Sequence, residues 1–177
     1  MGRKTAGPRS TPALAALTAA AVPFTAHPYS HEAGVSSYGL EAAAALGVDP
    51  DRVFKTLMAS VDGGLVAAVV PVSGSLDLKA LASVLGRRKA AMADPDAARR
   101  RTGYVLGGIS PIGQRQASPV VVDRSALDHV TVFVSGGQRG LDIELAPADL
   151  VTVTHALVAP IAGTRSRPED PRPASSA

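Results

Sequence analysis

The chain reads as a single α+β domain, with a curved, mixed and barrel-like β-sheet surrounded by short helices. Three observations lead there. Two apolar runs, Val53 to Val61 and Leu65 to Val72, flank Asp62-Gly63-Gly64, the composition of a hairpin turn. Several short helical segments, each with its own start and stop residues, interrupt the strands without strict βαβ alternation. A length of 177 residues suits one domain with a real core, and no internal repeat divides it. Residues 11–162 form that domain, while 1–10 and 163–177 carry Gly, Pro, Arg and Ser without apolar periodicity and read as disordered tails.

In chain order, Thr11 and Pro12 are the N-cap and first position of a helix that runs to Pro23, with Leu14, Leu17 and Ala21 on one face. Phe24 to Pro28 is a short strand, Tyr29 to Ser37 a polar loop, and Leu40 to Leu46 a helix closed by Gly47. After the turn at Asp49-Pro50-Asp51 comes the hairpin. Asp77 opens the next helix and Gly86 ends it, Arg87 to Met92 is a short strand, and Asp94-Pro95 starts a helix whose last turn holds Arg99, Arg100 and Arg101. Pro119 to Val122 and Val130 to Val134 are β-branched strands. Ser135 to Gly140 is a glycine-rich turn into the strand Leu141 to Leu145, followed by a helix from Ala148 to Ala156 and a last strand from Val158 to Ile161.

Composition excludes several chemistries. Without cysteine there is no disulfide, no thiolate zinc site and no thiol nucleophile. Four scattered histidines with no HExxH give no metal site, and no cofactor motif is present. No run reaches the roughly 18 apolar residues of a membrane span, and Ala13 to Val22 lacks the marks of a signal peptide, so a cytoplasmic location is expected. The net charge of +3 belongs to the tails, since the body from Thr11 to Ala162 has 12 basic and 13 acidic residues. Half of those basic residues sit in two clusters, Arg87-Arg88-Lys89 and Arg99-Arg100-Arg101. Such clusters suit phosphate contact, or they are solvated faces beside helix ends.

Thr102 to Gln116, TGYVLGGISPIGQRQ, runs a strand-like YVL into glycines that permit positive φ and close backbone approach. It reads as the floor of a pocket or as a wide turn. It is neither a P-loop nor a dinucleotide fingerprint, and GxSxG is missing elsewhere. Ser110 in this loop is able to donate a hydrogen bond but has no adjacent base. Lys55 stands inside an apolar strand, so it either snorkels at an edge or points into a polar pocket. Asp142 and Glu144 alternate with apolar residues, which makes their shared face a solvent face or an acidic wall that receives an amine. The four histidines read as surface or internally satisfied groups.

The segments VFKTL, PVSGSLDLKALASVLG, KAAMADPDAARRRTGYVLGGISPIGQ and VFVSGGQRGLDIELAPADL closely resemble the YbaK-type bacterial aminoacyl-tRNA deacylases, in the Cys-tRNA(Pro) deacylase branch. The resemblance covers about Thr11 to Ala162 in the same order. It implies a free-standing editor that removes cysteine from mischarged tRNA(Pro) and meets prolyl-tRNA synthetase transiently. It further implies Lys55 as the essential lysine with Thr56 beside it, Tyr29 and Tyr38 as substrate-binding aromatics, the backbone of Gly107 and Gly108 as substrate contacts, and Asp142 facing the amino group. Tyr38 stands where close relatives carry phenylalanine. Arg87, Arg88, Lys89, Arg99, Arg100 and Arg101 would then contact the tRNA backbone. In that family the cysteinyl thiol is thought to attack its own ester, which suits a protein with no cysteine of its own. The alternatives are a deacylase for Ala-tRNA(Pro) or another small mischarged amino acid, and a non-catalytic tRNA- or synthetase-binding module of the same fold.

Overall fold

The computed structural model describes residues 10–163. The tails expected at 1–10 and 163–177 lie outside that range except for their innermost residues, and Gly163 pairs with Ser75 in a short strand instead of belonging to a tail.

Helix α1, Pro12–Ala19, begins as its cap dictates, with the Thr11 hydroxyl accepting from Leu14 N at 3.2 Å. The same hydroxyl donates to Gly136 O, fastening the helix to a strand 125 residues later. The helix stops short of Pro23. Ala21 turns left-handed at φ 52° and Val22 N returns to Leu17 O, a Schellman-like closure; Ala13 and Leu17 are buried in the core with Leu14 packed against it, and of the expected face only Ala21 is exposed. Strand β1, Thr25–Pro28, follows. Helix α2, Tyr38–Leu46, starts at Ser37, whose hydroxyl accepts from Leu40 N, and ends at left-handed Gly47.

Strands β2, Phe54–Val61, and β3, Gly64–Pro71, form the predicted hairpin, in register from Phe54↔Pro71 to Val61↔Gly64. The turn is two residues, with Asp62 at φ 48° and Gly63 at φ 82°, the twist that matches the flanking strands. There follow β4, Ser75–Leu76; α3, Leu78–Val84, capped by Asp77; β5, Ala90–Met92; and α4, Pro95–Thr102, capped by Asp94. The remaining elements are β6, Val120–Asp123; β7, Val132–Gln138; β8, Leu141–Leu145; α5, Pro147–Thr154; β9, Leu157–Ala159; and β10, Ala162–Gly163. The YVL of the glycine-rich stretch is not a strand, and Ser135 to Gln138 belongs to β7 through a register shift, so the second turn is shorter than expected.

The expected barrel-like sheet is instead three sheets that do not close. Five strands run β5-β2-β3-β6-β9, antiparallel through the hairpin and parallel at β3-β6 and β6-β9; three run β1-β8-β7; two run β10-β4. A single bridge, Val53↔Phe133, connects the two larger sheets. Both faces of the hairpin are covered, which is why β2 and β3 read as continuous apolar runs. Phe54, Met58, Ala67 and Val69 meet Leu17, Tyr104 and Ile143 on one side, while Ala59, Ala68 and Val70 meet Leu81, Val121 and Ile161 on the other.

Candidate active site

Between the two larger sheets, α2 and the 103–119 loop lies a cavity of about 550 Å³. Strand β2 supplies Lys55 and Thr56, the β1–α2 connection supplies Tyr29, α2 supplies Tyr38, the glycine-rich loop supplies Leu106, Gly107 and Ile109, and β8 supplies Asp142. Met92, Ala93, Pro95 and Ala98 complete one wall. Of the predicted site residues, Lys55, Thr56, Tyr29, Tyr38, Gly107 and Asp142 are thus brought together from segments up to 113 residues apart.

The lysine in the apolar strand lies in the cavity wall, and its Nζ donates to Gly74 O at 3.0 Å. Beside it, the Thr56 hydroxyl is buried with no hydrogen-bond partner among the described residues, although such a group costs about 1–3 kcal/mol when left unsatisfied.

Asp142 is 5% exposed, and burial pushes its carboxyl up to about 7. Tyr29 is fixed by its backbone, N donating to Gly140 O at 2.8 Å, and burial followed by the nearby Asp142 charge pushes its phenol up to about 12. The phenol therefore stays protonated as a donor or acceptor. Glu144 shares the face of Asp142 but serves another purpose: it accepts from the Thr131 hydroxyl at 2.7 Å, lies 2.8 Å from His27 Nε2 and 3.4 Å from Arg52. Those partners, Thr131 first, hold its carboxyl below the usual carboxylate range. The acidic face is therefore divided, with Asp142 in the cavity wall and Glu144 in a structural cluster.

The loop carrying Tyr29 is clasped to α2 by one carboxylate. Glu41 accepts from Glu32 N at 2.7 Å and lies 2.8 Å from His31 Nδ1, and these two contacts lower its pKa. Gly107 holds φ 80°, and a Cβ there would meet the Tyr38 ring at 2.7 Å, so only glycine lets that loop lie flat against the aromatic. Gly108 and Ser110 are not in the wall. Gly108 packs on the backbone of Gln138 and Arg139, where a Cβ would sit 3.0 Å away, and Ser110 is fully buried with its hydroxyl accepting from Ile112 N at 3.2 Å. Glycine density signalled close backbone approach correctly, but at Gly108 the approach is to protein.

Arg87, Arg88, Lys89, Arg99 and Arg100 are exposed, at the two ends of the 87–101 segment whose middle forms the Met92–Ala98 wall. Arg87 lies 3.7 Å from Asp62 and Arg99 lies 3.4 Å from Asp96, both on the surface. Arg101, partly buried, donates to Ala117 O at 2.7 Å and to the Ser118 hydroxyl at 3.2 Å and braces the loop. The sequence reading missed Met92, which lines the cavity, and Arg139, which contacts the lining residues Leu106 and Tyr38. Among the described residues no cluster of three or more His, Cys, Asp or Glu side chains is able to hold a metal ion, and no helix is long and apolar enough to cross a membrane.

A family model, that of the aminoacyl-tRNA editing domain, matches residues 32–153. The chain belongs to this family. It is 38% identical over 120 residues to EbsC of Enterococcus faecalis, provisionally named a Cys-tRNA(Pro)/Cys-tRNA(Cys) deacylase, a match spanning 67% of this chain and 73% of that one. It is 39% identical over 94 residues to a proline–tRNA ligase of Moorella thermoacetica, covering 53% of this chain but 16% of the ligase, so the likeness is to one part of a larger enzyme. A solved structure described as a provisional trans-editing enzyme for prolyl tRNA synthetase superposes with a TM-score of 0.76 over 90% of this chain and 99% of that one; at 23% identity it shows the shared fold. The editing-domain protein is accordingly an aminoacyl-tRNA deacylase, an enzyme that breaks the ester between amino acid and tRNA.

Proposed function

We propose that the editing-domain protein removes cysteine from mischarged Cys-tRNA(Pro), acting as a free-standing editor that meets prolyl-tRNA synthetase transiently. The observation that carries this reading is the cavity itself. It joins a buried carboxyl, a lysine and an unsatisfied hydroxyl in a mostly apolar space that Ser36, Ser37 and Ser135 also line, in a chain with no cysteine to serve as nucleophile. Such a site positions and polarises a substrate that brings its own reactive group.

Asp142, when ionised, takes the α-ammonium of the aminoacyl ester, and Thr56 and the Gly107 backbone supply polar contacts that hold the ester in one conformer. The cysteinyl sulfur then attacks its own carbonyl carbon. The carbon–oxygen bond to the terminal ribose breaks, the thiol proton passes to the departing ribose oxygen, and cysteine leaves as a four-membered thiolactone that water later opens. Lys55 orients the 3′ end and offsets the negative charge that develops on the carbonyl oxygen. Exposed Arg87, Arg88, Lys89, Arg99 and Arg100 attract the tRNA backbone without reading sequence.

Lys55→Ala is expected to lower single-turnover deacylation of Cys-tRNA(Pro) by at least about 1,000-fold while leaving the fold intact. Unchanged deacylation by the folded variant would sink the assignment of Lys55. A second reading, a deacylase for alanine, is kept by the cavity's apolar wall, because one methyl-sized difference alters discrimination by only about 1 to 3 kcal/mol.

A further inference from the structure

Arg139, exposed in the β7–β8 turn, does not line the cavity but touches two residues that do. Its Nε donates to Leu106 O at 2.8 Å, and its guanidinium carbon lies 4.9 Å from the centroid of the Tyr38 ring. Leu106, Gly107 and Tyr38 all line the cavity, so one side chain from the β7–β8 turn ties the glycine-rich loop to the first residue of α2. Fixing an exposed arginine costs up to about 2 kcal/mol of rotamer entropy, which a surface hydrogen bond and stack offset only in part.

The guanidinium is held in one plane while its two η nitrogens have no hydrogen-bond partner among the described residues. A planar fork of free N–H donors is the arrangement that matches two oxygens of a phosphate. Arg87 and Arg99, by contrast, face carboxylates, and Arg101 donates to Ala117 and Ser118. Arg139 lies three residues before Asp142 in the chain, in the turn that leads into β8.

We propose that Arg139 is a substrate-binding residue of this site, gripping a phosphodiester of the strand whose 3′ end enters the cavity while it holds Tyr38 and the Leu106–Gly107 loop in place. The inference rests on the aminoacyl-tRNA reading given above.

The test compares Arg139→Gln with the unaltered protein on two substrates, Cys-tRNA(Pro) and 3′-O-cysteinyl adenosine, which has the ester but no phosphate. The loss in kcat/KM on the tRNA is expected to exceed the loss on the nucleoside ester by about 10-fold, mostly through KM. The slope of log kcat/KM against log salt for the tRNA is expected to flatten by about 0.7 to 1, one phosphate contact fewer. Equal losses on the two esters, or an unchanged salt slope, would overturn the phosphate role and leave Arg139 as a brace for Tyr38. Inertness of the unaltered protein toward both esters would instead overturn the reading of the site, and this inference with it.

Discussion

Asp123 and Asp142 each keep 5% of their surface exposed, yet their carboxyls move in opposite directions, Asp142 being the more deeply enclosed of the two. Burial raises both. At Asp123 it is outweighed, because the carboxylate accepts from Ser125 N and Oγ and from Ile161 N and Ala162 N at 2.8 Å each, and its pKa falls. At Asp142 burial dominates and the carboxyl rises to about 7. One aspartate is a finished part of the fold, joining β6 to the β9–β10 connection. The other is disfavoured as an anion by its surroundings, and a cation bound beside it would be expected to restore its charge.

The largest expected effect tests that division on the functional side. Asp142→Asn is expected to lower kcat/KM for Cys-tRNA(Pro) by about 100-fold or more, since it leaves the substrate ammonium without its charge partner. The fold should not suffer. A carboxyl whose folded pKa lies above its unfolded value binds its proton more tightly in the native state, so stability declines as the pH rises from about 4 through about 7. At pH 8 the variant should therefore melt at or above the unaltered protein, with an upper limit on the order of 4 kcal/mol in its favour. A clearly lower melting temperature at pH 8 would mean that the ionised carboxylate is a structural group after all.

Asp123→Asn probes the other half. It is expected to cost about 2 kcal/mol of stability at neutral pH, because Ile161 N, Ala162 N and the Ser125 donors lose a charged acceptor, with deacylation per folded molecule unchanged. Here the folded pKa is depressed, so the stabilisation is full above the unfolded value and is lost as the pH drops below about 4. Chemical denaturation at pH 7 and pH 3 checks both statements; a loss that persists undiminished at pH 3 would contradict them.

A smaller effect sharpens the comparison within the intact protein. As Asp142 ionises, kcat/KM should climb through about pH 7 and decline again as the substrate's amino group loses its proton near about pH 8. Asp142→Asn should remove the lower limb of that profile. Retention of the limb in the variant would assign it to another group.

Much of the fold was legible because its elements carry their own punctuation. Thr11-Pro12, Asp77 and Asp94-Pro95 each cap the helix they were expected to cap, and Asp62-Gly63 makes the hairpin turn with both residues left-handed. What local signals could not show was how strands are shared out. The division into three sheets depends on pairings such as β3 with β6 and β1 with β8, between segments far apart in sequence. Tyr104 illustrates the same limit: its apolar neighbours suggested a strand, but its hydroxyl donates to Ile112 O at 2.8 Å and the segment folds back on itself as a loop. The site divides similarly. Lys55 and Asp142 were visible because a charge in an apolar strand is costly and calls for a reason, whereas Met92 comes to the cavity, and Arg139 to the Tyr38 ring in its wall, only through tertiary contacts.

The most direct measurement is single-turnover release of the amino acid from Cys-tRNA(Pro), Ser-tRNA(Pro) and Ala-tRNA(Pro) by the same preparation, with Lys55→Ala alongside. Thiol attack within the substrate predicts rapid, Lys55-dependent loss of cysteine, with serine and alanine released slower by at least about 100-fold, since neither carries the reacting sulfur. Comparable rates for all three would show that water is the nucleophile and would contradict the substrate-assisted account.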